Sequence, residues 1–201
     1  MLVVGNGESR RGIRLDDIDV PKVGCNAIFR EFKVRHIVCC DQRMAQEAVN
    51  LFVNLKSGIW TRLDWLEHFR GKHNVNCVPG LWYSTDEKRD QPFHWGSGSY
   101  AVLIACMHSE PNDTVDLVGF DLYGIDNKVN NMYKGTRNYA DVDSKEIDPS
   151  FWIHQIGKCM EHYSQKQFRI FNKDNWQMPE QWKLPNVEFY SLDKIEQMLN
   201  V

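Results

Sequence analysis

The sequence predicts an α/β protein: a single Rossmann-like domain with a mostly parallel sheet, helices on both faces and a long lid-like loop. Three observations predict it. Short apolar runs of strand length alternate with segments of helical periodicity. Several of these runs stop abruptly at glycine or small polar residues, the chemistry of strand-to-loop turns. The 201 residues contain no internal repeat, low-complexity tract or evident linker, so residues 1–201 read as one domain. Alternating strands and helices imply right-handed crossovers. These bring the carboxyl ends of the strands to one edge, where such folds bind ligands.

Met1–Val4 reads as a buried strand, Val20–Cys25 as a second and Arg35–Cys40 as a third. Gln42–Leu55 places Met44, Ala48, Leu51, Phe52 and Leu55 on one helical face. Gly58–Arg62 reads as a strand, followed by a short helix to Phe69 with Asp64 as its cap, then a weak strand at Val75–Val78. Residues 84–95 are polar and turn-rich. Ser97–Ser109 reads as an apolar helix and Thr114–Leu122 as a central strand. Residues 124–149, rich in Asn, Asp, Lys and Gly, are too long for a bland connection and read as a functional loop. Phe151–Tyr163 reads as a helix, Phe168–Phe171 and Val187–Ser191 as strands, and Asp193–Leu199 as a short capped helix. Residues 84–95 and 124–149 are the expected active-site loops.

Composition narrows the function. Hydrophobic residues make up 42% of the chain, enough for a packed core, and the net charge of -3 supplies no field for nucleic acid. No apolar run approaches the roughly 18 residues of a membrane helix. No basic segment precedes an apolar one at the amino terminus, so a cytoplasmic location is expected. The six cysteines form no Cys-x-x-Cys pair and read as buried reduced thiols. The histidines show no metal-ligand spacing; His68 and His73 are five apart and lack a partner motif.

Two Gly/Ser turns stand out. Gly5-Asn6-Gly7-Glu8-Ser9 follows the first strand and is either a plain turn or a phosphate loop, although it is neither GxGxxG nor a Walker A sequence. Gly96-Ser97-Gly98-Ser99 opens a helix and is either an ordinary N-cap by Ser97 or Ser99, or an anion site. Cys25-Asn26, Asp41-Gln42, and Asp121 with Tyr123 end three strands at the same predicted edge. His154, early in a helix, is a candidate general base or a structural histidine. Asp141-Val142-Asp143 reads as part of a solvated loop. No Gly-x-Ser-x-Gly or other nucleophile arrangement is present.

The order VVGNGES, VGCNAIF, HIVCCDQ, GSGSYAVLIA, VDLVGFDLY resembles the bacterial sialyltransferases that act on lipooligosaccharide, in islands across residues 1–172. The 6-hydroxymethylpterin diphosphokinase-like proteins share parts of this pattern. The resemblance implies a CMP-linked sugar donor, transfer to an acceptor hydroxyl of a glycan or small molecule, and no metal cofactor. It implies nucleotide contacts from Asn6, Gly7, Ser9, Asn26, Ser97 and Gly98. It further implies a phosphate-binding Tyr123, a second such tyrosine at Tyr133 or Tyr139, and a catalytic His154. Asp41 stands near the family's third strand-end Asn and would face a ribose hydroxyl or base. Glu8 replaces the family's Pro, and His154 is displaced by a few residues from the family's position. A magnesium-dependent diphosphokinase or nucleotidyl enzyme, using Asp121, Asp141 and Asp143, is the alternative, as is a non-catalytic nucleotide-binding protein. A homo-oligomer is compatible with either.

Overall fold

The structure, a computed structural model, describes residues 1–52, 58–72 and 74–199. Eight strands form one sheet in the order β5-β4-β3-β2-β1-β6-β7-β8, every neighbouring pair parallel. They are β1 (Leu2–Val4), β2 (Lys22–Cys25), β3 (His36–Val38), β4 (Gly58–Thr61), β5 (Val75–Cys77), β6 (Thr114–Val118), β7 (Gln167–Asn172) and β8 (Val187–Ser191). The helices are α1 (Gln42–Phe52), α2 (Leu63–Leu66), α3 (Ser97–Met107), α4 (Ser150–His162) and α5 (Ile195–Leu199). The α/β, Rossmann-like architecture is the one the sequence predicts.

A parallel sheet covered on both faces needs apolar side chains on both. β1 supplies them by alternation: Val3 joins the core layer of α3 and α4, while Leu2 and Val4 join the layer of α1 and α5. β6 and β7 follow the same rule, with Leu117, Phe168 and Ile170 on the first side and Val118 and Phe171 on the second.

Several predicted details are corrected. The strand expected over Thr114–Leu122 ends at Val118, because Gly119 has φ +72° and Leu122 φ 66°, both outside strand geometry. In α1 the buried face runs through Met44, Ala45, Ala48 and Val49. Leu51 lies at its margin in the last turns and is 61% exposed. Leu55, the Phe52 side chain and His73 lie outside the described residues. Asp64 is not a cap: Arg62 occupies that position, and Asp64 pairs with its guanidinium instead. The N-cap of α3 is Gly96, without a side-chain cap bond. The short C-terminal helix also has no side-chain cap: a 3-10 turn over Leu192–Lys194 feeds α5. All six cysteines are free, five of them buried.

The chain leaves β1 for β2 on one side and returns from β5 to β6 on the other. Strand order therefore reverses between β1 and β6. Connections leaving these two strands turn in opposite directions, and the gap between them opens a crevice at their carboxyl ends.

Candidate functional site

A cleft of about 370 Å³ fills this crevice, within the range of small-ligand pockets. One wall is the opening turn, Gly5, Asn6 and Gly7, together with Gly119–Leu122 after β6. Cys25 and Asn26 after β2 and Cys40 and Asp41 after β3 form the second. The first turn of α3, Gly96–Ser99, forms the third, and Trp152 and Ile156 of α4 close the apolar side. Asn130 and Asn131 reach in from the long loop, which is tied to the opening turn by Met132 N–H donating to Asn6 O at 2.8 Å.

The glycines of the opening turn answer a packing demand. A Cβ on Gly5 would lie 2.4 Å from Gly119 O, and one on Gly7 would lie 2.2 Å from Asp121 Cγ. Four of the five amides in this turn are taken up within the protein. The Gly5 and Gly7 amides donate to Val118 O and Gly119 O, both at 2.8 Å. The Glu8 amide donates to Asn130 Oδ1 at 2.9 Å and the Ser9 amide to Asp121 Oδ2 at 2.8 Å.

The start of α3 differs. The amides of Ser97, Gly98 and Ser99 have no intrahelical acceptor by position, and no other acceptor engages them among the described residues. The hydroxyls of this turn are used for construction. Ser97 Oγ accepts from Cys40 N at 2.9 Å, joining α3 to the end of β3, and Ser99 Oγ donates to Gln155 Oε1 at 2.9 Å. A helix start with open amides carries a partial positive charge toward the cleft.

The charged side chains that line the cleft are two carboxylates, Asp41 and Asp121; neither Lys nor Arg lines it. Asp121 is buried, and Ser9 holds both its oxygens through an amide and a hydroxyl donor. Asp41 is open to solvent. Its Oδ1 caps α1 by accepting from the Arg43 and Met44 amides at 3.0 and 3.2 Å, with the Arg43 guanidinium 3.8 Å away, and no hydrogen bond engages Oδ2 among the described residues. Burial pushes the Cys25 and Cys40 thiols up to about 12, so both remain protonated and chemically quiet.

Of the residues singled out in the sequence, Asn6, Gly7, Asn26, Asp41, Ser97, Gly98 and Asp121 meet at this cleft. Ser9, Tyr123, Tyr133, Tyr139 and His154 do not line it. Ser9 is buried behind Asp121. Tyr133 is 6% exposed, packed in the α1 layer, with its hydroxyl accepting from buried Arg10 Nη2 at 2.8 Å. Tyr139 stands behind Asn6: its hydroxyl accepts from Asn6 Nδ2 at 3.0 Å and from Ala27 N at 3.3 Å, so it orients the asparagine. Burial raises the phenol pKa of both. Tyr123 is 37% exposed and turned away after the left-handed residue Leu122, which itself faces the cleft.

His154 lies on the wrong face of its helix. Trp152 and Ile156, four residues apart, share the face toward the cleft, and His154, two from each, projects from the other. There its Nε2 meets Asp90 Oδ1 at 2.6 Å in a separate depression lined by Trp82, Arg89 and Lys158. Asp90 also accepts from Tyr83 and Thr85 hydroxyls at 2.9 and 2.6 Å. Burial opposes its charge, but the bonds from Thr85, His154 and Tyr83 outweigh that and hold its carboxyl below the usual range. This set anchors the 84–95 loop to α4, so that loop borders the His154 depression and not the cleft. Residues 141–143 lie in solvent, with Asp143 paired to Lys128.

The apolar wall was not found from sequence. Phe120 and Leu122 fall within Thr114–Leu122, whose apolar pattern predicts a strand. Trp152 and Ile156 carried a usable signal, an apolar i, i+4 pair on an amphipathic helix, but that spacing also describes any core face. Among known proteins, no family model, no curated protein and no solved structure matches the chain.

Proposed function

We propose that the protein binds a cytidine nucleotide in the β1/β6 cleft and acts as a sialyltransferase-like glycosyltransferase on a CMP-linked sugar. The observation that carries this reading is the pairing of open α3 amides with a cleft that lacks Lys and Arg. Helix-end amides suit one phosphodiester. A diphosphate would bring more negative charge against Asp41 and Asp121 in a cleft with no Lys or Arg in its lining. Asp41, with one oxygen uncommitted, suits ribose hydroxyls, and Trp152 with Ile156 suits the flat base.

In this reading the bond from the anomeric carbon to the phosphate oxygen breaks as the acceptor oxygen bonds to that carbon. The α3 amides stabilise the departing phosphate, whose oxygen receives the acceptor proton. His154 and the three tyrosines have no part in it. The magnesium-dependent alternative is weakened by Asp121, whose two oxygens both serve Ser9.

A thermal-shift panel of CMP, UDP, GDP and ATP, each with and without magnesium, tests the proposal. It expects stabilisation by CMP regardless of magnesium. Stabilisation by ATP with magnesium alone would sink it. The non-catalytic reading draws on the removal of His154 from the cleft. CMP binding without any release of CMP from a CMP-linked sugar would favour that reading.

A further inference from the structure

We infer that Gln155 is the positioning residue for the anion-binding turn of α3; this rests on the proposed reading of the cleft. Gln155 is fully buried on α4, between Trp152 and Ile156 in sequence, and does not itself line the cleft. Its amide is used on both sides. Oε1 accepts from the Gly96 amide at 3.3 Å and from the Ser99 hydroxyl at 2.9 Å. Nε2 donates to Arg89 O at 3.0 Å and His94 O at 3.1 Å. One side chain therefore grips the N-cap and third residue of α3 and two carbonyls of the segment that enters it.

The arrangement assigns a task to each half of the amide. Gly96 is the N-cap, and its own N–H would otherwise compete for the anion or stand unpaired. Bonding it to Oε1 leaves the Ser97, Gly98 and Ser99 amides as the open set. Ser99 is held by its hydroxyl, so its N–H direction is fixed. The Nε2 bonds clamp the incoming chain, because a glycine N-cap has no side chain to set its own angle of entry. A Cβ on Gly96 would lie 3.0 Å from Trp152 Nε1 and would crowd the indole. The glycine that makes room for the cleft's aromatic wall is thus the one that needs an external brace. Pre-organised donors lose affinity steeply when their directions drift.

The test compares CMP with cytidine by calorimetry in wild type, Gln155→Met and Ser99→Ala. Methionine keeps the volume and removes all four bonds, while Ser99→Ala removes one and keeps the fold if the first variant does not. The expected result is CMP affinity lower by about tenfold in Gln155→Met and by about threefold in Ser99→Ala, with cytidine within about twofold of wild type in both. A brace of purely structural importance would lower both ligands together, and that outcome overturns the inference. So does unchanged CMP affinity in both variants. A wild-type protein that binds neither ligand overturns the reading of the cleft itself, and this role with it.

Discussion

Gly7 sits where no side chain fits, with the Asp121 carboxyl 2.2 Å from the place a Cβ would take. Gly7→Ala must push Asp121 off Ser9, and overpacking of this kind costs about 1–3 kcal/mol. Chemical unfolding of the variant is expected to show that loss; a variant as stable as the parent would mean the carboxylate moves freely. His36 makes a second point at this scale. Burial first, then His108 and Arg35, depress its pKa to about 4 from an ordinary 6.5, while it accepts from Trp60 Nε1 at 3.2 Å. A base with a depressed folded pKa stays neutral in the native state while the unfolded chain takes up the proton. The His36 contribution to stability is therefore expected to fall as pH drops from about 6.5 to about 4 and to level off below that. Unfolding midpoints measured across that window should show a shallower slope in His36→Phe than in wild type, and an unchanged slope would overturn the assignment.

At the scale of elements, α4 serves two masters. Its Trp152 and Ile156 face closes the cleft, and its His154 face anchors residues 84–95 through Asp90. The two faces predict separable variants. Trp152→Ala is expected to weaken CMP by about five- to a hundredfold, the range for loss of one base–aromatic stack, with cytidine weakened alike. His154→Ala is expected to leave CMP affinity within about twofold while costing about 1–3 kcal/mol, because Asp90 loses one of its buried partners. Binding measured beside thermal unfolding checks both. A His154→Ala protein that is fully stable yet cannot turn over a CMP-linked sugar would restore the histidine to the reaction.

At the scale of the whole molecule, the cleft exists because strand order reverses between β1 and β6, and its positive end is made of backbone amides. Salt screens exposed side-chain charges more than dipoles inside a cleft. CMP affinity is therefore expected to change by less than about threefold between about 50 and about 500 mM salt. A steep salt dependence would point to Lys or Arg beyond the cleft lining. Much of this architecture was legible in the chain. Alternating apolar runs and helical periods point to a mostly parallel sheet with two covered faces, and polar residues at run ends mark the edge where Asn6, Asn26, Asp41, Ser97 and Asp121 line the cleft. What the sequence by itself could not decide was direction. Whether a glycine turn presents its amides to a ligand or to a neighbouring strand depends on how closely Gly5 and Gly119 pass. Which helix face His154 occupies depends on where α4 docks. Both are long-range contacts between segments more than a hundred residues apart or on separate layers, and local pattern carries no term for them. Only the tertiary structure assigned the glycines of the opening turn to packing, the α3 amides to the cleft and His154 to an anchor behind it.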